Sequence, residues 1–413
     1  MIFPDAAGIV AEYNPLHNGH VFQMREAVRL TGTNALIVVL SGDFVQRGEP
    51  ALLSMHTRAK AAVMCGADLV IELPSVFSCH NAGVFANSAV NLLSATGLVK
   101  KLSFGMEDTK WDIHAATSIL VNEPDSFKAL LKKNLNYGYS FAEARIKALD
   151  SCISGTEKIL QGSNNSLALN YAAAVMKYHP EIELFPVQRT GTNHDEDRTE
   201  DIYASASLLR GLIKEGSAYK DFMPKVCADI IEDNLRRGNA YISDSRLWTA
   251  LRSVLLRTSA EEIAACGEIS EGAENKFKAE ALSAKSYDEW LERCSSKRYP
   301  KGRIRRQAMQ ILIKLDRWTN RAAQRLGVPY IRPLAMNEKG QLLLKIMKKT
   351  ATLPIISNCG DAKFSEYAAS IMRYDLLASE LRQGFLPDGN TGTAHSEKIF
   401  IKQNEQGDRH GRN

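Results

Sequence analysis

The fold is decided by residues 7–31, which read AGIVAEYNPLHNGHVFQMREAVRLT. The opening run, Ala7 to Glu12, is mostly apolar and predicts a β-strand. Asn14-Pro15 then ends that strand in a turn, because proline disfavours the helical region for the residue before it. Apolar residues return at helical spacing from Val21 to Thr31. The stretch therefore predicts a strand, a turn and a helix, which is the opening unit of a parallel α/β sheet.

The same alternation of apolar runs and helical patterns continues to about Lys214. It predicts a doubly wound parallel sheet of the Rossmann type, an α/β domain covering residues 1–215. From Tyr219 to Leu381 the pattern is almost entirely helical, which predicts a mostly α-helical C-terminal domain over residues 216–386. Residues 387–413 hold few apolar side chains and are expected to form a flexible tail. Further strands are predicted at Ala35–Leu40, Ala67–Leu73, Leu102–Gly105 and Ile182–Val187 and, within the helical region, at Leu353–Ser357.

The composition is that of an ordinary globular protein, with 45% hydrophobic and 24% charged residues in a chain of 413. Collagen-like and wholly disordered classes are excluded. No apolar run approaches the roughly 20 residues that span a bilayer, and the first residues lack the features of a signal peptide, so we expect a cytoplasmic protein without a membrane partner. Seven scattered cysteines indicate neither a disulfide framework nor a zinc site. A net charge of +5 is weak evidence for a polyanionic partner.

The turn after the first predicted strand carries the chemistry. Parallel sheets bind ligands at the carboxyl ends of their strands, and this turn lies at such an end. Gly19 lets a ligand approach the backbone closely. His17 and His20 can then direct ring nitrogens at phosphate oxygens, beside the free N–H groups and positive dipole of the helix start. These residues predict a cradle for a triphosphate.

A second pattern follows the last predicted strand of the same domain. Ser205 and Ser207 open a helix, and Arg210 lies one turn further on. Hydroxyls, helix-start N–H groups and a guanidinium suit phosphate oxygens. A simple helix N-cap is the alternative interpretation, and the position after a His-x-Gly-His domain favours phosphate binding.

The His-x-Gly-His pattern resembles that of the adenylyl-transferring Rossmann-like superfamily, which includes small nucleotidylyltransferases and class I aminoacyl-tRNA synthetases. Longer stretches, in the same order, are similar to those of the tRNA(Met) cytidine acetate ligases. These stretches are SGDFVQRGEPA at 41–51, TRA at 57–59, ADLVIELP at 67–74, LSFG at 102–105, GSNN at 162–165 and PVQR at 186–189. The similarity covers most of residues 7–215 and extends more loosely to about residue 385.

This resemblance implies an enzyme that activates acetate with ATP to acetyl-adenylate and passes the acetyl group to N4 of the wobble cytidine in elongator tRNA(Met). It implies Mg²⁺ with the ATP, no acetyl-CoA, and no DNA partner. Asn164 is nearly as good a nucleotide contact as its neighbour Asn165. The implied ATP site consists of Val10, Ala11, Glu12, Tyr13, Asn14, Pro15, Leu16, His17, Asn18, Gly19, His20, Val21, Phe22, Gln23, Gly105, Asn165, Arg189 and Thr190.

Three residues of the loop after the second predicted strand stay open between two roles. Asp43 is a candidate catalytic residue that holds a metal ion or accepts a proton from the cytidine amine, and a loop cap is an equally good interpretation. Gln46 and Arg47 share this loop and could face the acetate or the RNA. Catalysis is otherwise assigned to His17 and His20.

Positive charge concentrates at residues 297–306, KRYPKGRIRR, which hold six basic residues and no acidic one. The following sequence predicts one continuous helix with a cationic stripe and an apolar stripe, the latter containing Trp318. A solvated helix face is the simpler interpretation, whereas a tRNA substrate favours phosphate binding. Tyr299 could stack on an unpaired base. The residues assigned to tRNA binding are Lys297, Arg298, Lys301, Arg303, Arg306, Lys314 and Arg317.

Two other functions fit part of this pattern. A small-molecule nucleotidylyltransferase of coenzyme synthesis would explain both phosphate motifs and leave the basic helical region without a role. A non-catalytic RNA-binding protein with a relict nucleotide site would explain the basic region, but His17, Gly19, His20 and Arg210 are all intact.

Overall fold

The computed structural model describes residues 5–189, 203–358, 364–388 and 398–403. The strands in this part of the chain are β1 (Ala6–Ala11), β2 (Leu36–Ser41), β3 (Phe44–Val45), β4 (Glu49–Pro50), β5 (Leu69–Leu73), β6 (Val99–Met106), β7 (Glu183–Gln188), β8 (Pro333–Met336) and β9 (Phe400–Ile401). The helices up to the end of the predicted first domain are α1 (Asn18–Thr31), α2 (Met55–Met64), α3 (Ser75–Ser78), α4 (Ala82–Ala95), α5 (Ile113–Asn122), α6 (Asp125–Asn136), α7 (Phe141–Cys152), α8 (Thr156–Ile159), α9 (Ser163–Tyr178) and α10 (Ala206–Glu215).

The region after Glu215 is mostly helical, as the sequence predicts. Among its described residues, no helix is both long and apolar enough to cross a membrane, and the same holds for the rest of the described chain. A 3-10 helix spans Lys220–Phe222. The α-helices are α11 (Lys225–Arg236), α12 (Asp244–Arg257), α13 (Ala260–Ala264), α14 (Ala273–Ser283), α15 (Tyr287–Cys294), α16 (Lys301–Leu312), α17 (Arg317–Leu326), α18 (Glu338–Thr350) and α19 (Glu366–Gly384).

The main sheet has seven strands in the order β7-β6-β1-β2-β5-β8-β9. The first five strands of this order are mutually parallel, which confirms the predicted doubly wound sheet and its five strands. The chain builds outward from β1 through β2 to β5, and then returns to the other side of β1 to form β6 and β7. The order therefore reverses between β1 and β6, and ligands of such sheets bind in the crevice at this point.

The central strands β1, β2 and β5 are mostly apolar because helices cover both faces of the sheet, and the buried Glu72 of β5 is paired with Arg332. Strand β2 is buried along its whole length. Its alternate residues face opposite sides, so that Ile37 packs with α3, α4 and α9 while Val38 packs with α1, α2 and α10. The core that contains Ile37 continues into the helical region as far as Trp290. One hydrophobic core thus joins the sheet and part of the helices.

Two strands from beyond residue 215 complete the sheet. Strand β8 is fully buried and antiparallel to β5, and β9 pairs with β8. Part of the segment expected to be loose, 387–413, is therefore paired at Phe400–Ile401. The strand expected at Leu353–Ser357 is only a single bridge, between Ile355 and Ile331. The division of the chain at residue 215 remains a proposal.

The prediction of one continuous basic helix is wrong. Helix α16 ends at Leu312, and α17 begins at Arg317 with Asp316 as its N-cap. Between them Lys314 adopts a left-handed backbone conformation with φ of +50°, which an α-helix cannot contain. Because the second helix starts in a new direction, Trp318 does not join the apolar stripe and is 74% exposed.

Candidate functional site

His17 and His20 lie where β1 ends and α1 begins. His17 is the N-cap of α1, and its Nδ1 accepts a hydrogen bond from the Gly19 N–H at 3.1 Å. His20 Nδ1 accepts one from the His17 N–H at 3.3 Å. The two rings are stacked with their centroids 3.7 Å apart. The loop backbone thus fixes both imidazoles at the carboxyl end of the first strand.

These hydrogen bonds also determine which ring nitrogen carries a proton. A neutral imidazole whose Nδ1 accepts a hydrogen bond must carry its proton on Nε2. Burial, and then the charge of Arg189, lowers the pKa of His17 to about 3. Burial, His17 and Arg189 lower the pKa of His20 well below its usual value. At neutral pH both residues are therefore uncharged donors from Nε2.

The opposite side of the crevice is built on the end of β6. Asn165 Oδ1 accepts a hydrogen bond from the Glu107 N–H at 2.9 Å, and Arg189 Nη1 donates to Asn164 Oδ1 at 3.2 Å. A Cβ at Gly105 would lie 3.4 Å from Cγ of Arg189, so this glycine leaves room for the arginine chain. The structure therefore brings together Gly105, Asn164, Asn165 and Arg189, as the sequence analysis expects.

Glu107 belongs to this group and was missed by the sequence analysis. Its carboxylate accepts hydrogen bonds from the Asn164 N–H, the Asn164 side chain and the Asn165 N–H. It thereby anchors the start of α9. Burial lowers the pKa of the neighbouring Arg189, and the charge of Glu107 partly opposes this effect. Its position directly after Gly105-Met106, at a strand end, was the available signal.

Arg210 reaches the same loop from α10. It donates to the Asn14 carbonyl at 2.8 Å and to Ser207 Oγ at 3.3 Å, and it pairs with Glu49 at 2.8 Å. Ser205 is the N-cap of α10 and accepts from the Leu208 N–H. These contacts favour the N-cap interpretation of Ser205. For Ser207 and Arg210, phosphate binding remains a proposal in which a phosphate would replace Glu49 as the partner of the guanidinium.

The remaining residues of the predicted ATP loop divide between the core and the crevice. Half-buried members flank the crevice, and Thr190 lies outside the described residues. Tyr203, which no motif indicated, lies 3.9 Å from where a Cβ of Gly19 would be and contacts Phe22 edge-on. The buried members are Tyr13, Asn14, Pro15, Leu16, His17 and Val21, and the half-buried ones are Val10, Ala11, Glu12, Asn18, Gly19, His20, Phe22 and Gln23.

Glu12 lies at the start of this loop, on the side of the β3–β4 hairpin. Burial raises the pKa of its carboxyl, while Arg47, at 3.9 Å, lowers it. The Arg58 guanidinium donates to the Glu12 carbonyl at 2.7 Å and fixes the strand end. Glu12 thus places a desolvated carboxyl at the edge of the crevice, beside an exposed arginine.

Asp43 is buried and contacts only protein groups among the described residues. Its Oδ1 accepts a hydrogen bond from the Met55 N–H at 2.7 Å and lies 3.6 Å from Arg58 Nη2. Arg382 of α19 is 4.0 Å away on another side. These contacts favour the loop-anchoring role over the catalytic one. Among the described residues, no group of three or more His, Cys, Asp or Glu side chains is placed to hold a metal ion.

The basic residues assigned to tRNA binding do not form one surface. Helix α16 begins against the β3–β4 hairpin, where Arg306 Nη1 donates to the Gln46 carbonyl at 3.4 Å. Arg303 lies on the same turn. At the other end of α16, Lys314 is exposed, but Arg317 donates to the Ala264 and Ile269 carbonyls and is a structural residue.

Several of the other basic side chains have partners within the protein. Arg298 pairs with Glu271 at 2.8 Å, and Lys301 pairs with Glu292. Lys297 covers the ring of Tyr139 at 3.5 Å. Tyr299, the residue expected to stack on a base, also has partners within the protein. Its hydroxyl donates to the Ser270 carbonyl, and the Arg303 guanidinium covers its ring at 4.2 Å. Its ring is therefore not free to stack on a base.

Comparisons with known proteins agree on one family. A family model described as HIGH Nucleotidyl Transferase matches residues 5–396. The tRNA(Met) cytidine acetate ligase of Clostridium acetobutylicum is 35% identical over 88% of this chain and 92% of its own length. That of Caldanaerobacter subterraneus is 35% identical over 91% and 94%. A crystal structure of Thermotoga maritima TmcAL bound with alpha-thio ATP is 29% identical, with a TM-score of 0.88 over 96% of this chain and 100% of that one.

Proposed function

Because the chain belongs to the tRNA(Met) cytidine acetate ligase family of HIGH nucleotidyl transferases, we propose that it makes N4-acetylcytidine in the cytoplasm. ATP activates acetate as acetyl-adenylate, and the acetyl group passes to N4 of the wobble cytidine in elongator tRNA(Met). The observation that carries the proposal is the crevice between β1 and β6. There two neutral imidazoles on one side face Arg189 and the Asn164–Asn165 pair on the other.

The first step needs placement and charge neutralisation. Acetate is an anion at neutral pH, so its oxygen can attack the α-phosphorus of ATP while pyrophosphate leaves, without a protein nucleophile. The Nε2–H groups of His17 and His20 donate to the phosphate oxygens, and Arg189 contributes positive charge. Such preorganised donors stabilise the charge that develops on the phosphates during the reaction.

Mg²⁺ is expected to enter with the phosphates of ATP. This ion keeps several of its waters and needs only one or two carboxylates beside the substrate phosphates. When bound, it supplies positive charge to the leaving pyrophosphate. The protein contributes the imidazoles, Arg189 and the backbone of the loop, none of which requires a preformed metal cluster.

The second step brings RNA to the same crevice. The nitrogen N4 of the cytidine attacks the acetyl carbon, AMP leaves, and one proton of the amine is released. The start of α16, with Arg303 and Arg306, contacts the β3–β4 hairpin, whose Glu49 pairs with the Arg210 that binds the nucleotide loop. It is the part of the predicted tRNA surface that we retain, because it can hold phosphates of the anticodon loop next to the reacting base.

The test is an incubation of the protein with ATP, labelled acetate and bulk bacterial tRNA, followed by digestion and detection of N4-acetylcytidine. Label in that nucleoside without acetyl-CoA supports the proposal. His20→Ala should abolish the product and leave tRNA binding unchanged, whereas His114→Ala, at an exposed histidine of α5, should have no effect. Wild-type protein that forms the product only from acetyl-CoA would refute the proposal.

A further inference from the structure

Trp318 is the most exposed large hydrophobic side chain in the described part of the chain, at 74%. It lies in the first turn of α17, a helix whose buried residues are Asn320 and Ala323. Exposure of a large aromatic ring to water is unfavourable. Tryptophan is enriched at binding interfaces, where a partner covers the ring. The folded chain itself therefore does not account for the placement of this ring.

The same helix face is cationic. Arg321 and Arg325 follow Trp318 at helical spacings of three and seven residues, so the three side chains share one side of α17. The Arg321 guanidinium carbon lies 5.5 Å from the centre of a Trp318 ring. Both arginines are exposed, and no ion pair to a described carboxylate is formed by either. The face thus combines one flat aromatic ring with two charges that are available to a partner.

Helix α17 is attached to the sheet through the loop that follows α3. Asn320 Oδ1 lies 3.2 Å from Nε2 of the buried His80. His80 follows α3, which in turn follows the carboxyl end of β5. Helix α17 is therefore attached at the edge of the sheet to which the carboxyl ends of β1 and β6 also point.

We propose that Trp318, Arg321 and Arg325 form a stacking platform for an unpaired base of the RNA substrate and its adjoining phosphates. This inference rests on the proposed function, from which it takes the RNA. Unpaired bases present flat faces that stack on aromatic rings, and the backbone beside them carries one negative charge per nucleotide. Two exposed arginines next to an exposed ring suit that partner better than they suit a second copy of a chain with a net charge of +5.

Measurement of the affinity for unmodified tRNA tests the platform. Trp318→Ala should raise Kd by about tenfold or more, the loss typical of one stacked base. Trp318→Phe should restore most of the affinity. Leu30→Ala is the control, because Leu30 is an exposed apolar residue near the end of α1, whose buried residues pack in the core on the other face of the sheet from the core that contains Ala323 of α17. It should leave Kd unchanged.

The charged part of the platform has its own readout. A double change, Arg321→Gln with Arg325→Gln, should reduce the slope of log Kd against log salt concentration by about 1 to 2. Each phosphate contact releases about one counterion from the RNA, and the variant makes up to two contacts fewer. The rate of acetate-dependent pyrophosphate release from ATP without tRNA should be the same in all these variants and the wild type. A wild-type protein lacking that activity would refute the proposed function instead.

Two results would overturn the platform. One is a Trp318→Ala protein that binds tRNA with wild-type affinity and salt dependence. The other is a loss of tRNA affinity accompanied by a lower oligomeric mass in sedimentation, because the face would then be a contact between copies of the chain.

Discussion

The guanidinium of Arg58 donates to the Glu12 carbonyl at 2.7 Å, and so α2 holds the end of the strand that carries the nucleotide loop. The same side chain also donates to the carbonyls of Gly42 and Leu53. It is fully buried beside Asp43, and its burial lowers its pKa. One buried arginine therefore joins the ends of β1 and β2 to the helix that follows them.

Replacing Asp43 should affect stability rather than chemistry. In Asp43→Asn the amide oxygen can still accept from the Met55 N–H, but Arg58 and Arg382 lose their buried anion, which typically costs about 3 kcal/mol or more. Thermal unfolding should show this loss, while acetate-dependent AMP formation by the folded protein at low temperature should persist. Asp112→Asn, at an exposed N-cap, is the control and should leave the unfolding midpoint nearly unchanged. A fully stable Asp43→Asn protein without activity would restore the catalytic interpretation.

Gly48 should be essential for the contact between the β3–β4 hairpin and α16. Its φ is +79°, and a Cβ there would lie 2.5 Å from the Arg306 nitrogen. Gly138 has the same φ of +79° and open space around it. Gly138→Ala should therefore show only the backbone cost of about 1–2 kcal/mol, and Gly48→Ala a larger loss together with weaker tRNA binding. Equal unfolding midpoints for the two variants would show that the hairpin and α16 separate freely.

Glu107 should act as a positioning residue for ATP. In Glu107→Gln the side chain retains one carbonyl acceptor, whereas the native carboxylate serves two backbone N–H groups and the Asn164 amide. We expect a higher KM for ATP in acetate-dependent AMP formation, a smaller change in kcat, and an unchanged Kd for tRNA. Glu123→Gln, at the end of α5, is a suitable control. A fall in kcat at constant KM would place Glu107 among the groups that act on the reacting atoms.

The buried histidines should make the protein sensitive to acid. His17 has a folded pKa of about 3, below its unfolded value of 6.5, so the unfolded chain binds the proton first as the pH falls. Stability is therefore complete above pH 6.5 and decreases towards pH 3, with a loss of about 2 kcal/mol at pH 5. His17→Asn keeps an N-cap acceptor and removes this titration. Its unfolding free energy should fall less than that of the wild type between pH 7 and pH 5, and parallel curves would contradict the assignment.

Local patterns were sufficient to predict the parallel sheet and the two sides of its crevice. β1 and β2 are almost wholly apolar, and β5 is apolar except for Glu72, while Gly105, Asn165 and Arg189 end a strand, open a helix and follow a strand at the expected edge. Those signals depend on neighbours in sequence, which one chain displays directly.

Features that depend on distant parts of the chain could not be predicted in this way. Strand β8 has only four residues, and it is a strand because β5 offers it hydrogen bonds across 260 residues of sequence. The apolar spacing of α16 continues past Lys314, and this spacing alone predicts one uninterrupted helix. The sequence signal for a new helix is Asp316, an N-cap residue whose side chain accepts from the Thr319 N–H. The partners of Arg298, Lys301 and Arg317 are likewise supplied by other segments of the chain, namely Glu271, Glu292 and the carbonyls of Ala264 and Ile269.

Strands β8 and β9 also govern how the chain can be divided. A chain that leaves the sheet, forms the helices α10 to α17 and then returns as an outer strand cannot be separated into two working halves by one cleavage. A fragment ending at residue 215 would lack β8 and leave the backbone groups on the outer side of β5 unpaired. Such an open edge can pair with other chains and promotes aggregation. Helices α11 to α17 lie between β7 and β8 in the chain and are therefore joined to the sheet at both ends, which limits how far the predicted tRNA-binding residues of α16 can move from the crevice.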